Sequence, residues 1–227
     1  MVAKDVQSLF GQLARHYDLF NRIFSFGMDI GWRKHLVAAV ARQNPTRILD
    51  LACGSGDVTT MLQEALPRAQ VVGLDFSRPL LTQAKGRGLA ELAEADALKL
   101  PFADRSFDAV TIAFGLRNFS DRAGGLKEIA RVLRPGGVFG LLEFSPPPMP
   151  WKLFWNLYLH HLMPLVAQLM AKQGDSFRYL AQSIADFPSP STLNRELILH
   201  SFGLLLCRPL AGRLVLLSVY LRERNWI

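Results

Sequence analysis

LDLACGSGD, Leu49 to Asp57, is an apolar run that breaks into two closely spaced glycines and then turns polar. It reads as a strand, a tight loop and the first residue of a helix. Glycine belongs in such a loop because any Cβ would block close approach of the backbone to a ligand. A dinucleotide loop would carry a third glycine three residues after Gly56, and Thr59 stands there instead. Asp50, just ahead of the loop, is also unlike a phosphate cradle. A carboxylate at that position suits a cationic ammonium group.

Working outward, Arg47–Ala52 is a buried strand, Asp57–Leu66 a helix, Gln70–Asp75 a second strand and Pro79–Lys85 a short helix. A weakly marked third strand falls at Leu92–Ala95, and Phe107–Phe114 is a fourth. Asp121–Leu133 is a helix stopped by Arg-Pro-Gly-Gly, and Val138–Phe144 is a fifth strand. Strands alternating with helices imply right-handed crossovers and a parallel sheet. Ser145–Pro150 punctuates the pattern, and an apolar, aromatic stretch follows at Trp151–Met170. A helix over Thr192–Ser201 and strands at Leu204–Arg208 and Leu214–Leu221, joined by Pro-Leu-Ala-Gly, end the chain as an antiparallel hairpin. The expected fold is α/β and Rossmann-like: a seven-stranded, mostly parallel sheet with a C-terminal antiparallel hairpin and an inserted helical lid. One domain is expected, with residues 1–44 a helical cover, 45–145 a cofactor-binding core, 146–190 the lid and 191–227 the closing helix and hairpin.

The acidic residues keep step with that pattern. Asp75 ends the second strand, 19 residues after Gly56, where a carboxylate can chelate two ribose hydroxyls. Asp96 and the Ala97 N–H follow the third strand, where they can read an adenine edge, and Phe76 can pack on the adenine. Together Asp50, Gly54, Gly56, Asp75 and Asp96 read as a site for S-adenosylmethionine (SAM).

Composition narrows the class. The chain has 227 residues, 50% hydrophobic and 20% charged, which excludes a disordered chain or a coiled coil. Two cysteines, Cys53 and Cys207, cannot frame a disulfide scaffold or a zinc site, and the five histidines show no ligand spacing. No apolar segment opens the N-terminus, so a cytoplasmic chain is expected. The net charge of +7 points to acidic partners, but the basic residues are scattered and no basic-aromatic cluster suits nucleic acid. That leaves a membrane surface, with peripheral contact at the inner face of the plasma membrane. Trp151–Met170 has near-spanning length but carries Lys152, Asn156, His160, His161, Pro164 and Gln168, so it reads as a lid rather than a span, either amphipathic at a membrane or packed on the sheet or a dimer partner.

Several segments resemble the ubiquinone/menaquinone biosynthesis C-methyltransferase family: YDLFNRIFSFGMDIGWRK (Tyr17–Lys34), DAVTIAFGLRNFSDR (Asp108–Arg122), RVLRPGGVFGLLEFS (Arg131–Ser145) and GDSFRYLAQSIADFP (Gly174–Pro188), besides the glycine loop. The chain departs from the family pattern at Phe20 and Asp29, at Arg134, and at Ser55, whose hydroxyl replaces that of a threonine. It also has a leucine-rich ending. The resemblance implies SAM-dependent methylation of a polyprenylated quinol ring, by a monomer, a homodimer or part of a quinone-synthesis assembly. It implies that Arg117 stabilises a developing quinolate, that Asn118 orients a water or the ring oxygen, and that Tyr17 and Asn21 cover the site. It places Ser55 and Ala113 at the cofactor, and Asn21, Phe114 and Tyr179 at the acceptor. Methylation of another aromatic molecule or of RNA, or SAM binding without turnover, stand as alternatives.

Overall fold

The computed structural model describes Arg22, residues 25–145 and residues 182–223. Its elements in chain order are α1 (Met28–Ala41), β1 (Arg47–Leu51), α2 (Asp57–Ala65), β2 (Gln70–Asp75), α3 (Arg78–Gly86), β3 (Leu92–Glu94), β4 (Phe107–Ala113), α4 (Arg122–Val132), β5 (Leu133–Phe144), α5 (Pro190–Leu199), β6 (Phe202–Leu210) and β7 (Val215–Arg222). The seven strands form one sheet in the order β3-β2-β1-β4-β5-β7-β6. The first five are parallel, and β7 runs antiparallel to both β5 and β6.

Burial on both faces explains why the central strands are nearly continuous apolar runs. One face packs Leu49, Leu51, Val110, Ile112 and Leu141 beneath Leu126 and Ile129 of α4 and Leu193 and Leu197 of α5. The other packs Ile48, Ala109, Val138 and Leu142 beneath Leu36, Val37 and Val40 of α1 and Val58 and Leu62 of α2. Gly140 lets α1 approach β5 closely, since a Cβ there would lie 2.6 Å from Val40 Cγ2. Asp121 caps α4 by accepting from the Gly124 N–H, and Ser189 caps α5 by accepting from the Thr192 N–H.

Two expectations need correction. β5 begins at Leu133, which pairs with Phe107, and the ladder resumes at Val138 opposite Ala109. The Arg-Pro-Gly-Gly segment is therefore a bulge within β5 rather than a break before it, with Gly136 at φ 81° letting the chain loop out and return. The terminal hairpin is also longer than the turn residues suggested, because Pro209 and Leu210 still pair with Leu216 and Val215. An edge strand such as β6 tolerates proline, whose missing N–H would face outward. The N-terminal cover before Arg22, most of the expected lid and the whole of Trp151–Met170 lie outside the described residues. Among the described residues, no helix is long and apolar enough to cross a membrane.

Candidate active site

Strand β1 lies between β2 and β4, so chain connections leave it in opposite directions and open a crevice at the carboxyl ends. A cleft of about 330 Å³, part of it open to solvent, sits there between Arg33, Asp50, Ala52, Cys53, Gly54, Ser55 and Ala113, among others. Asp50, Gly54, Ser55 and Ala113 thus meet as expected. The loop is held by positive φ at Ala52 (57°), Gly54 (57°) and Gly56 (90°). At Gly56 a side chain would be strained by that φ, and a Cβ would lie 2.3 Å from Leu89 Cδ1, which would have to move.

Asp50 forms the floor, 1% exposed. Its oxygens accept hydrogen bonds from Thr59 Oγ1 at 2.6 Å and Thr111 Oγ1 at 2.8 Å. Thr111 faces it across the β1–β4 register, and Thr59 sits in the first turn of α2. Burial pushes the Asp50 carboxyl up to about 6, against the pull of those two hydroxyls and of Arg33. The residue that spoils a dinucleotide loop, Thr59, is therefore the one that secures the acid beneath this loop. Burial likewise drives the Cys53 thiol well above its ordinary value, which keeps it from acting as a thiolate nucleophile.

Asp75 ends β2 and ties two turns together. One oxygen accepts from the Gly54 N–H and the other from the Ser77 N–H, both at 2.8 Å. Burial raises its carboxyl despite these donors. A carboxylate offers about four acceptor positions, and with the Phe76 N–H as a third donor capacity remains for a ribose hydroxyl. Phe76 is half-buried beside it. Asp96 is exposed after β3, with one oxygen accepting from the Leu98 N–H, and Ala97 packs against the core.

At the end of β4, Phe114 adopts φ 60° and turns the chain into Leu116–Asn118. Its ring is 7% exposed and packs against Trp32, Phe144 and the Arg33 guanidinium, so it braces the site from within. Arg117 is tied down. Its Nη1 donates to Glu143 Oε1 at 2.7 Å and to the Phe114 carbonyl at 2.5 Å, and its guanidinium lies 5.2 Å from the Phe144 ring centre. The Arg117 side chain is 7% exposed and that of Glu143 3%. Arg117 Nε is buried with no acceptor among the described residues. Pairing with Glu143 cancels much of the free charge expected of Arg117 and leaves a fixed, directional donor. Asn118 ends the same turn, while Tyr17, Asn21 and Tyr179 lie outside the described residues.

Sequence reasoning missed Glu143, Thr111, Arg33 and Asp57. Asp57 opens α2 and takes Arg22 Nη2 at 3.0 Å, Arg87 Nη1 at 2.8 Å and Arg33 Nε at 3.8 Å. Burial pushes its carboxyl up, but the three guanidinium groups outweigh that and hold it below the usual value. The Asp29/Arg33 spacing of four on one helix was a legible signal. The pairing of Glu143 on β5 with Arg117 in the turn after β4 was not.

The strand order, the glycine loop at the switch point and the paired acids of β1 and β2 define a class I SAM-dependent methyltransferase, whose residues fit that cofactor. A solved SAM-dependent methyltransferase of Thermotoga maritima shares the fold at TM-score 0.70 and 14% identity, covering 95% of this chain and 99% of that one. One from Methanosarcina mazei does so at TM-score 0.58 and 22% identity, covering 79% and 93%. The chain belongs to the ubiE/COQ5 methyltransferase family, whose model matches residues 1–205. It is 44% identical to a demethylmenaquinone methyltransferase of Thermus thermophilus, over 86% of this chain and 91% of that protein. To one from Staphylococcus epidermidis it is 36% identical, over 98% and 95%.

Proposed function

We propose that the chain transfers the methyl group of SAM to a ring carbon of demethylmenaquinol, completing the naphthoquinol ring. The observation that carries the acceptor reading is likeness to demethylmenaquinone methyltransferases along most of both chains. The corresponding benzoquinol step of ubiquinone synthesis belongs to the same chemistry and is the narrower alternative.

Bound SAM supplies a methyl group already activated on a sulfonium. Asp50 faces its ammonium, Gly54, Ser55 and Gly56 shape the loop around it, and Asp75 takes the ribose hydroxyls. Asp96, the Ala97 N–H and the Phe76 ring receive the adenine, and Ala113 borders the transfer site. SAM would supply the methyl group to the acceptor ring carbon ortho to an ionised hydroxyl, and that carbon would give up its ring proton to the water that Asn118 orients. Arg117 acts through donation: a buried N–H without an acceptor costs about 1–3 kcal/mol, and a quinolate oxygen or a water at Nε recovers it. Glu143 holds that guanidinium in place, and Asn118 orients the oxygen or the water. Phe114 braces Phe144, over whose ring the Arg117 guanidinium lies.

Contact with a membrane surface is part of this reading, because a prenylated quinol resides in lipid. The open edge strand β6 exposes Leu204, Leu205 and Leu206, and the end of α5 exposes Ile198 and Leu199. Arg195, Arg208 and Arg213 are exposed on the same stretch of chain, which suits an anionic lipid surface. A homodimer or a larger quinone-synthesis assembly is compatible with it.

The test is methyl transfer by purified protein from methyl-labelled SAM, with reduced demethylmenaquinone and the matching demethylated benzoquinol offered separately. Label on the naphthoquinol ring, with kcat/KM at least tenfold above the benzoquinol, is expected. Label on the benzoquinol alone would reverse the ring assignment, and label on neither would remove quinols as acceptors.

A further inference from the structure

The cofactor cleft is walled by a charge cluster that the transfer chemistry above leaves unused. Arg33 stands on α1, one turn beyond Asp29, with its side chain 7% exposed. Its Nη1 donates to Asp29, its Nε lies 3.8 Å from Asp57 Oδ2, and its guanidinium lies 5.5 Å from the Phe114 ring centre. Arg22 also bonds Asp29 and Asp57, and Arg87 bonds Asp57. Three guanidinium groups thus gather on two carboxylates at the rim of the cleft, with Arg33 itself lining it. A buried guanidinium is stable only when anions and hydrogen-bond acceptors match it. Across the same cleft lies Asp50, whose two oxygens are engaged by Thr59 and Thr111 rather than by any of these arginines.

The cleft therefore has a positive wall at Arg33 and an acidic floor at Asp50, with the Gly54–Ser55–Gly56 loop and the start of α2 between them. An α-amino acid presents that pattern in reverse: a carboxylate on one side and an ammonium on the other. We infer that Arg33 binds the α-carboxylate of the methionine moiety of SAM. A guanidinium fork matches a planar carboxylate with parallel donors, and the start of a helix adds a favourable dipole. Phe114 and Asp29 hold the fork in one orientation, so that the carboxylate fixes where the sulfonium methyl points. Arg33 is in this sense a positioning residue as well as a binding one.

Binding of SAM is compared with binding of decarboxylated SAM, which keeps the sulfonium and the ammonium and lacks only the carboxylate. Isothermal titration of the wild type is expected to give about a ten- to hundredfold preference for SAM. In Arg33→Met that preference falls to within about threefold, while the Kd for decarboxylated SAM stays near the wild-type value. Arg33→Lys keeps a charge for Asp29 and Asp57 but loses the fork, and an intermediate preference is expected. It decides the matter if the methionine variant fails to fold. A wild type that binds both ligands equally, or substitutions that leave the preference intact, would overturn the assignment. The readout needs no acceptor, so its failure is separate from any failure of the quinol reading.

Discussion

Glu143→Ala is expected to lower the unfolding free energy by about 3–5 kcal/mol and to abolish methyl transfer, because it strands the Arg117 guanidinium in a buried site. Glu143 and Arg117 side chains are 3% and 7% exposed, so bulk solvent screens the uncompensated charge only weakly. Urea denaturation reads the stability and a single-turnover assay reads the chemistry. The double variant Glu143→Leu with Arg117→Met separates the two roles. Removing both charges together is expected to restore most of the stability while activity stays lost, since the donor at Nε has gone with the arginine. A Glu143→Ala protein as stable as the wild type would deny the pair its structural role. A double variant with wild-type turnover would deny Arg117 any part in the reaction.

The second large effect is a pH dependence centred on Asp50. Its carboxyl is raised from 3.8 to about 6, chiefly by burial. A raised acid favours the folded state as pH falls: the native chain binds the proton first, and the cost of a buried charge, present above pH 6, is relieved on going down towards pH 4. A shift of roughly two pK units corresponds to about 3 kcal/mol. The unliganded wild type should therefore gain up to about 3 kcal/mol between pH 7 and pH 4 relative to Asp50→Asn, followed by denaturation at each pH. SAM binding should run the opposite way. The ionised form attracts the ammonium, so wild-type Kd is expected to rise by up to about tenfold per pH unit below 6, with a flat profile in Asp50→Asn. Parallel profiles for the two proteins would contradict both halves of the prediction.

How far the sequence could be read depends on the range of the interactions. β2 was legible to the residue, Gln70–Asp75, because its apolar run meets a polar turn at both ends. β5 was not, since Arg-Pro-Gly-Gly carries every local mark of a break. Only pairing of Leu133 with Phe107 keeps those residues in the sheet. In the site, Asp50, Gly54 and Asp75 announced themselves by position along single strands and loops. Thr111 and Glu143 did not, because each acts on a partner far away in sequence: 61 residues for Thr111 with Asp50, and 26 for Glu143 with Arg117. A Thr or Glu near the end of an apolar strand has no local signature that separates it from an ordinary strand residue. Arg117 was found through the family resemblance, but its buried partner changes what it can do, from a free charge to a held donor.

The most direct measurement is complementation of a bacterial strain lacking demethylmenaquinone methyltransferase, with extracted quinones weighed by mass spectrometry. Recovery of menaquinone carrying the one added methyl group is the predicted result, lost again in Arg117→Ala. Accumulation of demethylmenaquinone alone, in cells that hold folded protein able to bind SAM, would contradict the account.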